Sequence, residues 1–219
     1  VEEVPAAPEA LEGLVESVAA REQMASYAQL LASAGVERGL IGPREVPRIW
    51  DRHLLNCAVV VPLVPSGADV IDVGSGAGLP GIVWAIARED LQVTCLEPLQ
   101  RRAAFLDEVV SALGLGGRVQ VVRARAEDIV RGRGPVTSLR ARVVTARAVA
   151  PLERLAGWTL PLVAPGGELV ALKGRSAAEE IEVAMPVLER LGVVSVEICE
   201  CGVDVVEPPT TVVRALKAS

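Results

Sequence analysis

The 219-residue sequence predicts an α/β fold: a mostly parallel seven-stranded sheet with a C-terminal antiparallel hairpin, preceded by a helical extension. Three observations predict it. From Ala68 onward, short Val/Ala/Leu-rich runs alternate with helical stretches, the pattern of a parallel sheet covered on both faces. The first 67 residues carry helical spacing and no strand signal. The last two strand-like runs are joined only by Glu200 to Pro209, too short for a parallel crossover but suited to a hairpin. These features divide the chain into a helical extension at 1–67 and a sheet domain at 68–219.

Pro5, Pro8 and two glutamates open the chain without periodicity. From Glu9 to about Ala34, Leu11, Leu14, Val15 and Val18 recur at helical spacing, and Met24, Tyr27, Ala28 and Leu31 resume it after the polar Arg21-Glu22-Gln23. Gly35 and Gly39-Leu-Ile-Gly42-Pro43 interrupt, and a further helix is expected over Arg44–Val61, ending at Pro62. Strands are expected at Val70–Val73, Gln92–Leu96, Arg118–Val122, Ala141–Thr145 and Glu168–Leu172, then at Val193–Cys199 and Thr211–Leu216. The helices between them fall at Leu79–Ala87, Arg101–Leu113, Ala126–Val130 and Pro151–Leu162.

Composition narrows the class. At 51% hydrophobic the chain can bury a sizeable core. No apolar run approaches the roughly 20 residues of a membrane span, so no membrane partner is expected. No charged-apolar-cleavage pattern opens the chain, and Cys57, Cys95, Cys199 and Cys201 form no CxxC pair. A reducing setting and no structural zinc site follow as expectations. Net charge is −6, but Arg101 to Arg147 holds ten arginines against four acids. That pattern suits a basic face on an acidic body.

The chemistry centres on Asp69-Val-Ile-Asp-Val-Gly-Ser-Gly-Ala-Gly-Leu-Pro-Gly81. A buried strand ends in an acid and runs into alternating glycines, which permit positive φ and close approach of a ligand to the backbone. Gly76-Ala-Gly78-Leu-Pro-Gly81 satisfies GxGxxG, the dinucleotide fingerprint. Its register disagrees, because the strand ends at Val73 and Gly76 arrives two positions late. Read from the strand, Asp72-x-Gly74-x-Gly76-x-Gly78 suits a ligand with a cationic amino-acid tail, as in S-adenosylmethionine. Glu97, after the second strand, is placed to accept two ribose hydroxyls in either cofactor class. Arg125-Ala-Glu127-Asp128 after the third strand is placed for an adenine edge. Five parallel strands closed by a hairpin are typical of Rossmann-like class I S-adenosylmethionine-dependent methyltransferases. After the fourth strand, many amino-methylating enzymes carry Asn/Asp-Pro-Pro-Tyr, whereas this chain has Thr145-Ala-Arg147-Ala. An arginine there suggests a target presenting acceptors, such as guanine O6 and N7 or a phosphate.

Asp51-Arg-His-Leu-Leu-Asn56, Asp72-Val-Gly-Ser-Gly-Ala-Gly-Leu-Pro-Gly-Ile82, Arg101-Arg102, Thr145-Ala-Arg147-Ala and Ala171-Leu-Lys-Gly174 occur in this order. Together they resemble the bacterial 16S rRNA guanine-N7 methyltransferases (the RsmG family, also called glucose-inhibited division protein B). The resemblance implies methyl transfer from S-adenosylmethionine to N7 of one guanine in 16S rRNA, by a cytoplasmic protein that needs no metal; an oligomer is not required for this reading. It maps the cofactor residues onto Gly74, Ser75, Gly76, Gly78, Leu79, Glu97, Ala126 and Glu127. Asp72 and Arg147 join that set by position. The substrate-mouth residues map onto Arg101, Arg147 and Lys173, the last being one of two lysines beside 20 arginines. Gly39-Leu-Ile-Gly42 replaces the family's Asn-Leu-Thr. Thr210-Thr211 stands where the family tends to have a basic residue, and the nearest arginine is Arg214.

Guanine N7 carries no proton, so positioning is expected to dominate and no general base is required. His53, the only histidine, is read as a capping or helix-packing group, and Trp50, Trp84, Phe105 and Trp158 as core. So few aromatics suit a ribonucleoprotein substrate better than free single strands. The competing readings are an NAD-dependent oxidoreductase and a non-catalytic S-adenosylmethionine-binding assembly factor.

Overall fold

The computed structural model describes residues 3–136 and 139–219. Its sheet strands are β1 (Asp69–Val73), β2 (Gln92–Leu96), β3 (Val119–Val122), β4 (Ala141–Arg147), β5 (Val163–Lys173), β6 (Val193–Cys201) and β7 (Thr210–Lys217). They lie in the order β3-β2-β1-β4-β5-β7-β6. Val70 pairs in parallel with both Val93 and Val143, whereas β7 runs antiparallel to β5 and β6. The chain leaves β1 toward β2 and β3, then returns to β4 on β1's other side. That reversal opens a crevice beyond the carboxyl ends of β1 and β4, where open α/β sheets bind ligands.

The helices are α1 (Ala10–Leu14), α2 (Val18–Leu30), α3 (Leu55–Ala58), α4 (Gly81–Ala87), α5 (Gln100–Ala112), α6 (Ala126–Val130), α7 (Leu152–Thr159) and α8 (Ala177–Arg190). On one face, Met24, Tyr27 and Leu31 of the helical extension share a core with Trp84, Phe105 and Val143. On the other, Leu155, Ala156, Ala184 and Leu188 cover Ile71, Val144, Leu169 and Val213. The extension therefore completes one of the two hydrophobic layers.

Four segments differ from the sequence expectation, one of them β5, which starts at Val163 and not at Glu168. The first helix breaks at Val15–Ser17, not at Arg21–Gln23: Ser17 Oγ accepts the Ala20 N–H (3.3 Å) and starts α2. The helix expected over Arg44–Val61 is a succession of turns. A 3₁₀ turn (Pro43–Arg48), a π turn (Ile49–Leu54), α3 and a second 3₁₀ turn (Val61–Leu63) follow one another. Pro47 inside this stretch supplies no N–H, so a continuous α ladder cannot form. Finally, α8 has no counterpart in the sequence expectation: Pro186 interrupts a run whose Ala177, Ala184 and Leu188 still keep helical spacing on the buried side.

Candidate functional site

Asp72 on β1 is fully buried. Its Oδ2 accepts the Gly81 N–H at 3.0 Å, while Oδ1 has no hydrogen-bond partner among the described residues. A Cβ at Gly81 would stand 2.8 Å from that Oδ2, so only glycine admits the carboxylate against the start of α4. Burial pushes Asp72 up to about 7 against the opposing Gly81 hydrogen bond. Ser75 Oγ donates to the Asp72 carbonyl (2.8 Å), and the Gly74 N–H donates to the Leu96 carbonyl (2.8 Å), fastening the loop between β1 and β2.

Glu97, just past β2, is also buried. Its Oε2 accepts the Gly76 N–H and its Oε1 the Leu99 N–H, each at 2.9 Å. One acceptor site per oxygen remains, matching a vicinal diol. A Cβ at Gly76 would meet nothing nearer than the Gly74 carbonyl oxygen at 3.8 Å, so this side of the loop is open to a ligand.

These residues wall a cavity of about 490 Å³ lined by Gly74, Ser75, Gly76, Leu79, Glu97 and Arg147 and covered by Leu40, Ile41 and His53. A slot of about 160 Å³ adjoins it through the shared Gly74, Pro98 and Val149, and brings in Ala126, Glu127 and Trp158. A larger cavity of about 950 Å³ lies on the other side, with Arg48, Arg52, Lys173, Arg175, Thr210 and Thr211 around it. The first and third cavities meet at Arg147 and Ala148. Ala148 holds φ +54, a conformation uncommon for a residue with a Cβ, at that shared wall.

The extension grips Arg147. Nη1 donates to Cys57 Sγ (3.3 Å), and Nη2 donates to the Arg52 carbonyl and to His53 Nδ1 (3.0 Å each). Accepting at Nδ1 leaves the His53 proton on Nε2, which faces Glu45 Oε2 at 3.0 Å. Burial and the Arg147 charge hold His53 below its usual value. Lys173 donates to the Ala150 carbonyl (3.0 Å) and pairs with Glu180 at 2.6 Å.

Gly74, Ser75, Gly76, Leu79, Glu97, Ala126, Glu127 and Arg147 thus line the paired cavities. Asp72 and Gly78 do not; both sit behind the loop, with Gly78 packed against Ile82 and Tyr27. Arg101 projects into solvent and lines none of the cavities described, whereas Arg102 lines the first. Helical phase separates the two: Arg102 stands three, four and seven residues before the buried Phe105, Leu106 and Val109, at the middle of the inward stripe, whereas Arg101 stands at its edge. Arg214 is bound to Glu168 and Glu197 on the sheet. Trp84 and Phe105 are core, as expected, but Trp158 forms part of the slot wall.

Sequence reasoning also missed Tyr27, whose hydroxyl donates to the Ala77 carbonyl (2.6 Å) from the buried face of α2. Tyr27→Phe is expected to lower stability by about 1–3 kcal/mol in urea melts, since the carbonyl loses its partner inside the core; an unchanged midpoint would show that the bond does not brace the loop.

The sheet order, the antiparallel β7 and the glycine loop facing Glu97 define a class I S-adenosylmethionine-dependent methyltransferase. An S-adenosylmethionine-dependent O-methyltransferase from Thermotoga maritima has this fold, at TM-score 0.54 and 16% identity, over 75% of this chain and 65% of that one. The chain belongs to the GidB family, rRNA small subunit methyltransferase G, whose model matches residues 20–205. It is 62% identical over 189 residues to the ribosomal RNA small subunit methyltransferase G of Salinispora tropica, covering 86% of this chain and 78% of that relative. The protein of the same name from Thermobifida fusca is 55% identical over 210 residues, 93% of this chain and 86% of its own length. Family and fold imply use of S-adenosylmethionine, and the open face at Gly76 with the free acceptor sites of Glu97 fits that cofactor. No helix among the described residues is long and apolar enough to cross a membrane.

Proposed function

We propose that this chain methylates N7 of a guanine in 16S rRNA, acting on a small-subunit ribonucleoprotein in the cytoplasm. The observation that carries the reading is the wall at Arg147 and Ala148, common to the cofactor-sized cavity and to the larger, arginine-rimmed one. A base entering the larger cavity would meet a methyl group presented from the other. The relatives, both ribosomal RNA small subunit methyltransferases by name, support rRNA as the substrate class.

In this reading Glu97 holds the ribose hydroxyls, and Ala126 and Glu127 meet the adenine edge in the slot. Gly74, Ser75, Gly76 and Leu79 line the path of the tail, with Asp72 and Gly78 shaping the loop from behind. When bound, S-adenosylmethionine supplies an electrophilic methyl on a sulfonium. Guanine N7 is unprotonated, so the chain's task is to align the base and exclude water. Arg147, fixed by His53 and Cys57, orients guanine O6 or a flanking phosphate. Lys173, already paired with Glu180 and bonded to the Ala150 carbonyl, keeps one donor at the cavity wall, and Arg48, Arg52 and Arg175 meet phosphates at the rim. The extension (1–67) and the sheet domain (68–219) act as one unit, because the former holds the latter's arginine.

Small subunits from a strain lacking the gene, incubated with this protein and methyl-labelled S-adenosylmethionine, should take up label at one guanine N7. Absence of label from rRNA would overturn the enzyme reading and leave an assembly factor. Arg147→Ala should lower the labelling rate at least tenfold, roughly one charged hydrogen bond; full labelling at the wild-type rate would remove Arg147 from its assigned role.

A further inference from the structure

Two arginines line the cavity beside the glycine loop, and they differ in what they have left to offer. Three of the five N–H groups of Arg147 are already engaged, by Cys57, the Arg52 carbonyl and His53, which leaves two for a substrate. Arg102 is uncommitted. Its Nε–H is buried with no acceptor, and no carboxylate lies within 4 Å of its guanidinium among the described residues. It occupies the first turn of the 13-residue α5, where the helix dipole favours anions over cations. A buried unpaired donor and a cation at a helix N-terminus are both unfavourable as they stand. Both belong to the one guanidinium, and an anion held against it would offset both.

The cavity's geometry says which anion. Resting on the cofactor reading above, adenine fills the slot beyond Gly74, Pro98 and Val149, and ribose sits on Glu97. The amino-acid tail then has one direction left, along Ser75 to Leu79 in the larger of these two spaces, which Arg102 lines. An S-adenosyl amino acid carries one anionic group, its α-carboxylate. We infer that Arg102 is the binding residue for the carboxylate of the cofactor's amino-acid tail. A planar guanidinium suits a carboxylate through paired hydrogen bonds, which a lysine can match only in part. Arg101, one residue away, points outward and takes no share in this.

The test separates the carboxylate from the rest of the ligand. Calorimetric titration of the full chain compares S-adenosylhomocysteine with its decarboxylated analogue, S-adenosyl-3-thiopropylamine, for wild type, Arg102→Ala and Arg102→Lys. Wild type is expected to favour S-adenosylhomocysteine by roughly ten- to hundredfold, the range of a charge-assisted hydrogen-bonded pair. Arg102→Ala should lose that preference while keeping its affinity for the decarboxylated analogue, and Arg102→Lys should recover part of it. Equal weakening of both ligands by Arg102→Ala would overturn the inference in favour of a role in loop structure. Unchanged affinity for S-adenosylhomocysteine with weakened rRNA binding would overturn it in favour of a phosphate contact. A folded wild type that binds neither compound would overturn the cofactor reading, and this inference with it.

Discussion

Asp72→Asn is expected to raise the stability of the apo-protein at pH 8 and to leave it nearly unchanged at pH 4. Burial holds the Asp72 carboxyl at about 7, against an ordinary 3.8. Between those values the folded protein keeps a proton that the unfolded chain has released, so stability falls as pH rises from about 4 to about 7. Above 7 the loss is complete and the fold carries a buried charge. An amide cannot ionise, and its oxygen still accepts the Gly81 N–H, so the variant escapes that loss. The difference at pH 8 is at most roughly 4 kcal/mol, or about 8–16 °C in melting temperature for a chain of this size. Thermal melts of both proteins from pH 4 to 8 measure it. Parallel curves would show that Asp72 does not titrate in this range. Affinity for S-adenosylhomocysteine should move the other way, because the variant removes the negative charge behind the loop where an ammonium tail would lie. A residue that costs stability and serves binding is the expected pattern at a ligand site.

Strand positions were legible in the sequence because a strand in a covered parallel sheet is an apolar run between turn residues; Val70–Val73 and Gln92–Leu96 are nearly continuous in this sense. The short link from Glu200 to Pro209 likewise required the hairpin. Glu97 and the loop glycines could be placed by counting from the strand ends. What escaped depends on contacts far apart in sequence. Arg147 was legible as an arginine at the end of β4, but the carbonyl of Arg52 that holds it is 95 residues away. No local pattern encodes that distance. The irregular turns from Pro43 to Leu63 escaped because Leu54, Leu55 and Ala58 keep helical spacing while Pro47 breaks the backbone ladder beneath it. Arg101 and Arg102 were legible as a pair but not individually, and the inward phase of Phe105 and Leu106 distinguishes them. Gly78 reads in the sequence as a ligand glycine like its neighbours, since a linear pattern does not show which side of a loop each glycine serves.

That last distinction predicts opposite outcomes for two glycines two residues apart. Gly78→Ala should damage the fold, whereas Gly76→Ala should mainly damage cofactor binding. Gly78 has φ +99, and a Cβ there would lie 2.5 Å from Ile82 Cγ1 and 2.8 Å from the Tyr27 hydroxyl. The backbone cost is about 1–2 kcal/mol and the overpacking cost about 1–3 kcal/mol. Together they are a large part of the roughly 5–15 kcal/mol that keeps a domain folded. Gly76 also has positive φ, +58, but its Cβ would project into open space, so only the backbone cost applies to the fold. The new methyl would instead occupy the side of the loop next to Glu97, where a ribose must approach. Denaturant melts should therefore rank Gly78→Ala below Gly76→Ala, and S-adenosylhomocysteine titration of the folded fraction should rank them the other way. Removing the Tyr27 hydroxyl should make the Gly78 change milder than the two single losses added together, since one of its two clashes disappears. Strict additivity in that double variant would mean that the Ile82 contact alone sets the cost.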